Sequence, residues 1–214
     1  MSLTETIENN NLYLSIIGGS LMQKVQPDTQ KAIKREYETS DGKKGVKWEI
    51  RHKNLTGKIV GLQFLASDFG EQLRVRIENN GESAVVSIAL DSRYFTDFGK
   101  KISNIDLTQN IVFNSYDFTN KEGKRLQGLS ITQNGEKVTN YFWDAEKKEV
   151  LHDFPQPEGD KNTFDSDDWK MFFIRVKKFL KTHIEKIEMP DVEKIETQND
   201  GNFEVIDEPD DLPF

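Results

Sequence analysis

Ten lysines and arginines stand between Leu21 and Val60 against five acidic residues. Five of them, Lys43, Lys44, Lys47, Arg51 and Lys53, crowd one short stretch. A local cationic excess of this kind forms an electrostatic footprint for phosphates. Further on, Arg74 and Arg76 alternate with Leu73, Val75 and Ile77, which places both guanidinium groups on the side opposite the apolar residues. Aromatic residues supply the complementary chemistry. If Phe113, Val138 and Phe142 face inward, Tyr116, Tyr141 and Trp143 face outward, where bases can stack on them. Cations for the backbone and aromatic faces for the bases are the two ingredients that hold a single strand without regard to its sequence, each stacked base contributing about 1–3 kcal/mol.

Other chemistries find little support. The chain has no cysteine, which removes disulfides, thiolate nucleophiles and cysteine-based zinc sites and points to a reducing interior. His52, His152 and His183 are widely separated and form no His-x-x-x-His pair. Glu122-Gly123-Lys124 and Glu146-Lys147-Lys148 match the end of a nuclease motif, but a chain with 31% charged residues produces such triplets by chance. Gly18-Gly19 lacks the Lys and Ser/Thr of a phosphate-binding loop. No enzyme activity, metal or cofactor is therefore expected.

These side chains must be held by β-structure. Val46, Trp48 and Ile50 alternate with Lys47, Glu49 and Arg51 over Gly45 to Lys53, the pattern of a half-buried strand with Trp48 on the core side. Leu73 to Ile77 and Ala84 to Leu90 read as two strands of a hairpin turning at Asn79-Asn80-Gly81. Apolar positions Tyr94, Phe95, Phe98 and Ile102 recur at helical spacing over Ser92 to Ile102. Strands are expected again at Ile111 to Phe118, Leu126 to Gln133 and Glu136 to Trp143, the last two joined through Asn134-Gly135. A helix between the third and fourth of five strands matches an OB-like barrel, so the expected class is mainly β, OB-like; a β-sandwich with an inserted helix fits nearly as well. After Pro155 and Pro157, Asp165 or Ser166 caps an amphipathic helix with the stripe Trp169, Phe172, Phe173, Val176, Phe179, Leu180, Ile184 and Ile187, which should close the core.

Charge divides the chain at this helix. Residues 1 to 181 hold 27 basic against 26 acidic side chains, whereas residues 182 to 214 hold 2 against 11. The overall charge of -8 thus belongs to the end of the chain. We expect one domain over residues 1–187 and a disordered acidic tail over 188–214, because the tail has no apolar period that could offset the entropy of ordering it. With no uncharged run approaching the roughly 20 residues that span a bilayer, no membrane partner is expected, and the expected compartment is the cytoplasm.

The tail finishes in Asp210, Asp211, Leu212, Pro213 and Phe214. Asp-Asp-Leu-Pro-Phe resembles the C-terminal tip of bacterial single-stranded DNA-binding proteins, with Leu212 where Ile is usual; several phage proteins of that function also end in an acidic tail and a terminal aromatic. The resemblance covers five to eight residues. It implies sequence-nonspecific binding of single-stranded DNA in replication, recombination or repair, with the tip seated in basic-rimmed pockets of partner proteins. An acidic-tailed interaction module, a DNA mimic or adaptor that binds no DNA, is the alternative.

Overall fold

Period-2 alternation punctuated by tight turns makes this chain mainly β, and the computed structural model describes residues 11–39, 42–67 and 70–190. Ten strands form one hydrogen-bonded series: β1 (Leu12–Ile17), β2 (Ser20–Val25), β3 (Ile33–Glu38), β4 (Lys44–His52), β5 (Leu55–Ser67), β6 (Gly70–Asn79), β7 (Glu82–Ala89), β8 (Ile111–Thr119), β9 (Arg125–Gln133) and β10 (Glu136–Lys137). Their order is β10-β9-β8-β5-β6-β7-β1-β2-β4-β3. Every pairing is antiparallel except that of β1 with β7. Helix α1 (Arg93–Gly99) follows β7, and α2 (Ser166–Ile184) follows a small hairpin of β11 (Trp143–Asp144) and β12 (Glu149–Val150).

Local chemistry explains the turns. Asn80-Gly81 and Asn134-Gly135 both have positive φ and join strands through two residues, the left-handed turn whose twist matches that of the flanking strands. Gly18-Gly19 makes a third such turn, between β1 and β2. A side chain at Gly19 would stand 2.2 Å from the Asp117 backbone nitrogen, so this turn presses directly on β8. The sheet therefore coils until β2 touches β8, yet no closed barrel forms: β1 occupies the edge of β7 in parallel, and the series runs on to β3. β5 is the pivot. Its first residues, to Gly57, pair with β8, the remainder from Lys58 pairs with β6, and a bulge between Ile59 and Gly61 interrupts the second pairing.

The core lies on one side of β5, β6, β7, β1, β8 and β9, beneath the two helices. Ser92 caps α1 by accepting a hydrogen bond from Phe95 N at 3.2 Å. Asp165, not Ser166, caps α2, in a reciprocal capping box with Asp168. Val176, Leu180 and Ile184 are buried on the core, while Phe173 from the same expected stripe is exposed. Lys177 and Lys181 tie α2 to Asp91 and Glu71.

Two expectations need correction. Val46, Trp48 and Ile50 do not enter the core: Val46 is 47% exposed, and the other two are only half-buried. β4 lies beside the edge strand, away from the helices, and its neighbours on that face include Lys34 and Glu36. The second concerns Glu136 to Trp143, where the strand ends at Lys137 and a last backbone hydrogen bond runs from Val138 N–H to the Ile131 carbonyl at 2.9 Å. Asn140 Oδ1 accepts the Phe142 N–H at 3.0 Å, and Tyr141 N–H donates to the Lys100 carbonyl at 2.7 Å, which turns the chain toward α1. At the end of α2, Ile187 and Met189 still pack on the core, and the expected tail from residue 191 onward, its tip at Asp210 to Phe214 included, lies outside the described residues.

Candidate nucleic-acid interface

Directly opposed residues in neighbouring strands share a face, so the register assembles a surface from distant positions. On the side away from the core, one row runs Gln63, Arg74, Ser87, Ser15, Met22 and Arg51 across β5, β6, β7, β1, β2 and β4. The adjacent row contains Arg76, Val85 and Tyr13. Lys24, two residues from Met22, and Lys47, four from Arg51, share this side. The expected cations Lys47, Arg51, Arg74 and Arg76 are thus brought onto one face, joined there by Lys24, Tyr13 and Gln63 and interrupted by the buried Met22 and Val85.

Their environments differ. Lys24 and Arg51 are exposed and make no ion pair among the described residues. Arg76 donates from Nε to Ser83 Oγ at 2.9 Å and lies 3.6 Å from Glu78. Arg74 was expected on a solvated surface, but it is 8% exposed, with its guanidinium carbon 5.9 Å from the centre of the Tyr13 ring. Glu49, on the face expected to be cationic and solvated, is 3% exposed and grips Arg35 through both oxygens, at 2.7 and 2.8 Å. Next to it the Tyr37 ring lies flat across Gly45, where any side chain would collide with the ring at 2.5 Å, and Lys47 Nζ sits 4.6 Å from the ring centre. Lys43, Lys44 and Lys53 are exposed at the ends of β4, Lys44 lying 3.5 Å from Glu38.

Comparison with protein-family models, curated proteins and solved structures finds no match. The interface therefore stands on its own chemistry.

The late aromatics divide. Tyr116 lies on the outer side of β8 over Gly128, beside Phe118, which is 52% exposed, with the two ring centres 5.9 Å apart. Burial and the charge of Asp97 hold the Tyr116 hydroxyl above the ordinary tyrosine value, so it stays protonated. The bulge in β5 keeps Thr56, Lys58 and Gln63 on one side, so the outer faces of β8 and β6 are continuous. Tyr141 lies elsewhere, stacked on His152 at 4.0 Å and packed against Phe142. Trp143 is 43% exposed but stands on the separate β11–β12 hairpin. The fold brings His152 and His183, far apart in sequence, to the same tyrosine. Burial first, then Lys186 and His152, depress the His183 pKa below that of an ordinary histidine. Neither ring belongs to a group of His, Asp or Glu able to hold a metal among the described residues.

Sequence reasoning missed Tyr13, Tyr37 and Gln63, and included Lys24 only as one cation of the basic stretch. Alternation of Tyr13 and Ser15 with Leu12, Leu14 and Ile16 was the available signal for the first. β3 reads Ile-Lys-Arg-Glu-Tyr-Glu and carries no apolar period to reveal a face.

Proposed function

We propose that the chain binds single-stranded DNA across the outer face of β6, β7, β1, β2 and β4, without marked sequence preference, and serves DNA replication, recombination or repair. The observation that carries this reading is the gathering of Lys24, Lys47, Arg51, Arg74 and Arg76 on one face, with Tyr13 among them and Tyr37 beside Lys47 on the edge strand β3. Cations at intervals follow a phosphate backbone, and the interleaved rings offer faces to bases. Lys43, Lys44 and Lys53 extend the cationic edge, and Tyr116 with Phe118 continues the aromatic surface across β5. In this reading β5 to β9 are an OB-like unit, with α1 between its third and fourth strands, to which β1 to β4 add a wing. No cofactor takes part.

Titration with an oligothymidylate, followed by tyrosine and tryptophan fluorescence, tests the reading. Four or five phosphate contacts give a slope of log K against log salt of about -3, from roughly 0.7 per phosphate on a single strand. Duplex of the same length binds far more weakly. Equal affinity for duplex, or affinity indifferent to salt, rejects the proposal, and absence of binding to either favours an acidic interaction module.

The terminal Asp210, Asp211, Leu212, Pro213 and Phe214 recruit partner proteins in the same proposal, the ring filling an apolar pocket and the carboxylates pairing with its basic rim. Deleting Leu212 to Phe214 abolishes recovery of replication and repair proteins in pull-downs and leaves oligonucleotide affinity within about twofold, below 0.5 kcal/mol. Recovery of the same partners by the truncated chain would reject this role.

A further inference from the structure

Four buried side-chain atoms among the described residues lack a hydrogen-bond partner: Tyr13 Oη, Gln63 Oε1, Arg74 Nε and Ser115 Oγ. Folded proteins satisfy nearly all such atoms, so each exception calls for a reason. Three of the four occupy one spot. Gln63 and Arg74 are directly opposed on β5 and β6, and the Arg74 guanidinium lies over the Tyr13 ring of β1. This spot sits within the cationic face, flanked in its row by the hydroxyls of Ser87 and Ser15.

The chemistry of the three atoms selects what they meet. Arg74 Nε only donates, Gln63 Oε1 only accepts, and the Tyr13 hydroxyl does either. A phosphate oxygen would satisfy Arg74 and Tyr13 but would confront the Gln63 carbonyl with another acceptor. A nucleobase edge carries donors and acceptors side by side, as in the N3–H and flanking carbonyls of thymine, and satisfies all three.

We propose that Tyr13, Gln63 and Arg74 form a base-reading pocket, in which one nucleobase of the bound strand presents its hydrogen-bonding edge to the guanidinium, the amide and the phenol. This deepens the single-strand reading and rests on it. Arg74 thereby acts on a base, whereas Lys24 and Arg51 serve phosphates. None of the three atoms is held by a hydrogen bond, so turning them toward the strand breaks none. The protein without DNA keeps them unsatisfied, and the strand completes them.

Tyr13→Phe, Gln63→Leu and Arg74→Met remove one polar group each and nearly preserve volume. Two probes of equal phosphate number separate base from backbone contacts: an oligothymidylate and an abasic deoxyribose-phosphate oligomer. Arg74→Met binds the oligothymidylate about tenfold more weakly, the lower range for a lost base contact, and the other two variants several-fold more weakly. Tyr13→Phe and Gln63→Leu bind the abasic oligomer as the unaltered protein does and leave the salt slope with oligothymidylate unchanged, whereas Arg74→Met, which also removes one cation of the face, loses more on the oligothymidylate than on the abasic oligomer. Their thermal midpoints equal or exceed that of the parent, because an unsatisfied buried group has been removed. Undiminished oligothymidylate binding by the variants overturns the pocket, as does an equal loss on both probes. If Arg74→Met fails to fold, Gln63→Leu and Tyr13→Phe decide by the same comparison. A parent protein that binds neither probe overturns the single-strand reading itself, an outcome visible before any variant is measured.

Discussion

Replacing Lys24 and Arg51 together by glutamate lowers affinity for an oligothymidylate on the order of 100-fold at about 50 mM salt. Both side chains are exposed on the outer face of β2 and β4, and Met22 directly opposes Arg51, so Lys24 stands diagonally across from it. Each phosphate contact contributes a salt exponent of about 0.7, which between roughly 1 M and 50 mM salt amounts to about eightfold in affinity. Loss of two such contacts gives about 60-fold, and the reversed charges add repulsion. The slope of log K against log salt falls from about -3 to about -1.5. Neither residue has an ion pair to lose among the described residues, so stability changes by no more than about 0.5 kcal/mol. The control is the same reversal at Lys148, in the turn of the β11–β12 hairpin, and Lys170, on α2, exposed positions off this face. A loss below about threefold, or the same loss in the control, removes the face from the binding path.

Asp97→Ala costs the fold about 3–5 kcal/mol, the range for breaking a buried ion pair from one side. Lys101 is buried, and its Nζ donates to Asp97 and, at 2.6 Å, to the Leu129 carbonyl. Asp97 also accepts the Leu129 N–H at 2.6 Å. The carboxylate thus neutralises a buried ammonium and closes the hydrogen bonding of β9 against α1. Its removal leaves a buried cation and an orphan backbone donor. For a domain of this size the melting temperature should drop by roughly 6–20 °C. Adding Lys101→Met recovers part of the loss by removing the uncompensated charge, and thermal or urea unfolding of Asp97→Ala, Lys101→Met and the double variant measures the coupling. A drop under about 1 kcal/mol in Asp97→Ala would show that the Lys101 ammonium reaches water instead.

The alternation of Leu73, Val75 and Ile77 with Arg74 and Arg76 was legible because one face of β6 meets the core and the other does not. The two Asn-Gly hairpins were legible from local turn chemistry, and α2 from its cap and stripe. β5 was not. Its sequence, Leu-Thr-Gly-Lys-Ile-Val-Gly-Leu-Gln-Phe-Leu-Ala-Ser, changes parity at a bulge and serves two pairings in succession, so no single period runs through it. Val46, Trp48 and Ile50 carried a true strand signal, but whether a second layer covers that face depends on where β4 falls in the sheet. The candidate site divides in the same way. Arg51 and Arg74 were visible as outward positions, yet the burial of Arg74 depends on Tyr13, two strands away across β7. Register is long-range information, and no window along the chain contains it. Tyr141 and Trp143 stand off this face for the converse reason: the hydrogen bond that Asn140 Oδ1 accepts from Phe142 N–H overrides a plausible alternation.

Helix α2 is the last element among the described residues, yet Val176, Leu180 and Ile184 belong to the same core as β1. Leu180 packs at Gly99 of α1, where an added side chain would meet it at 3.2 Å. On the ribosome, β9 is complete about fifty residues before Ile184 is added, an interval of roughly 3–10 s at ordinary rates of synthesis. Throughout that time the sheet and α1 expose an apolar surface that only their own final helix can cover. Completion of this core is therefore a late event in its synthesis, reached only once α2 has been added.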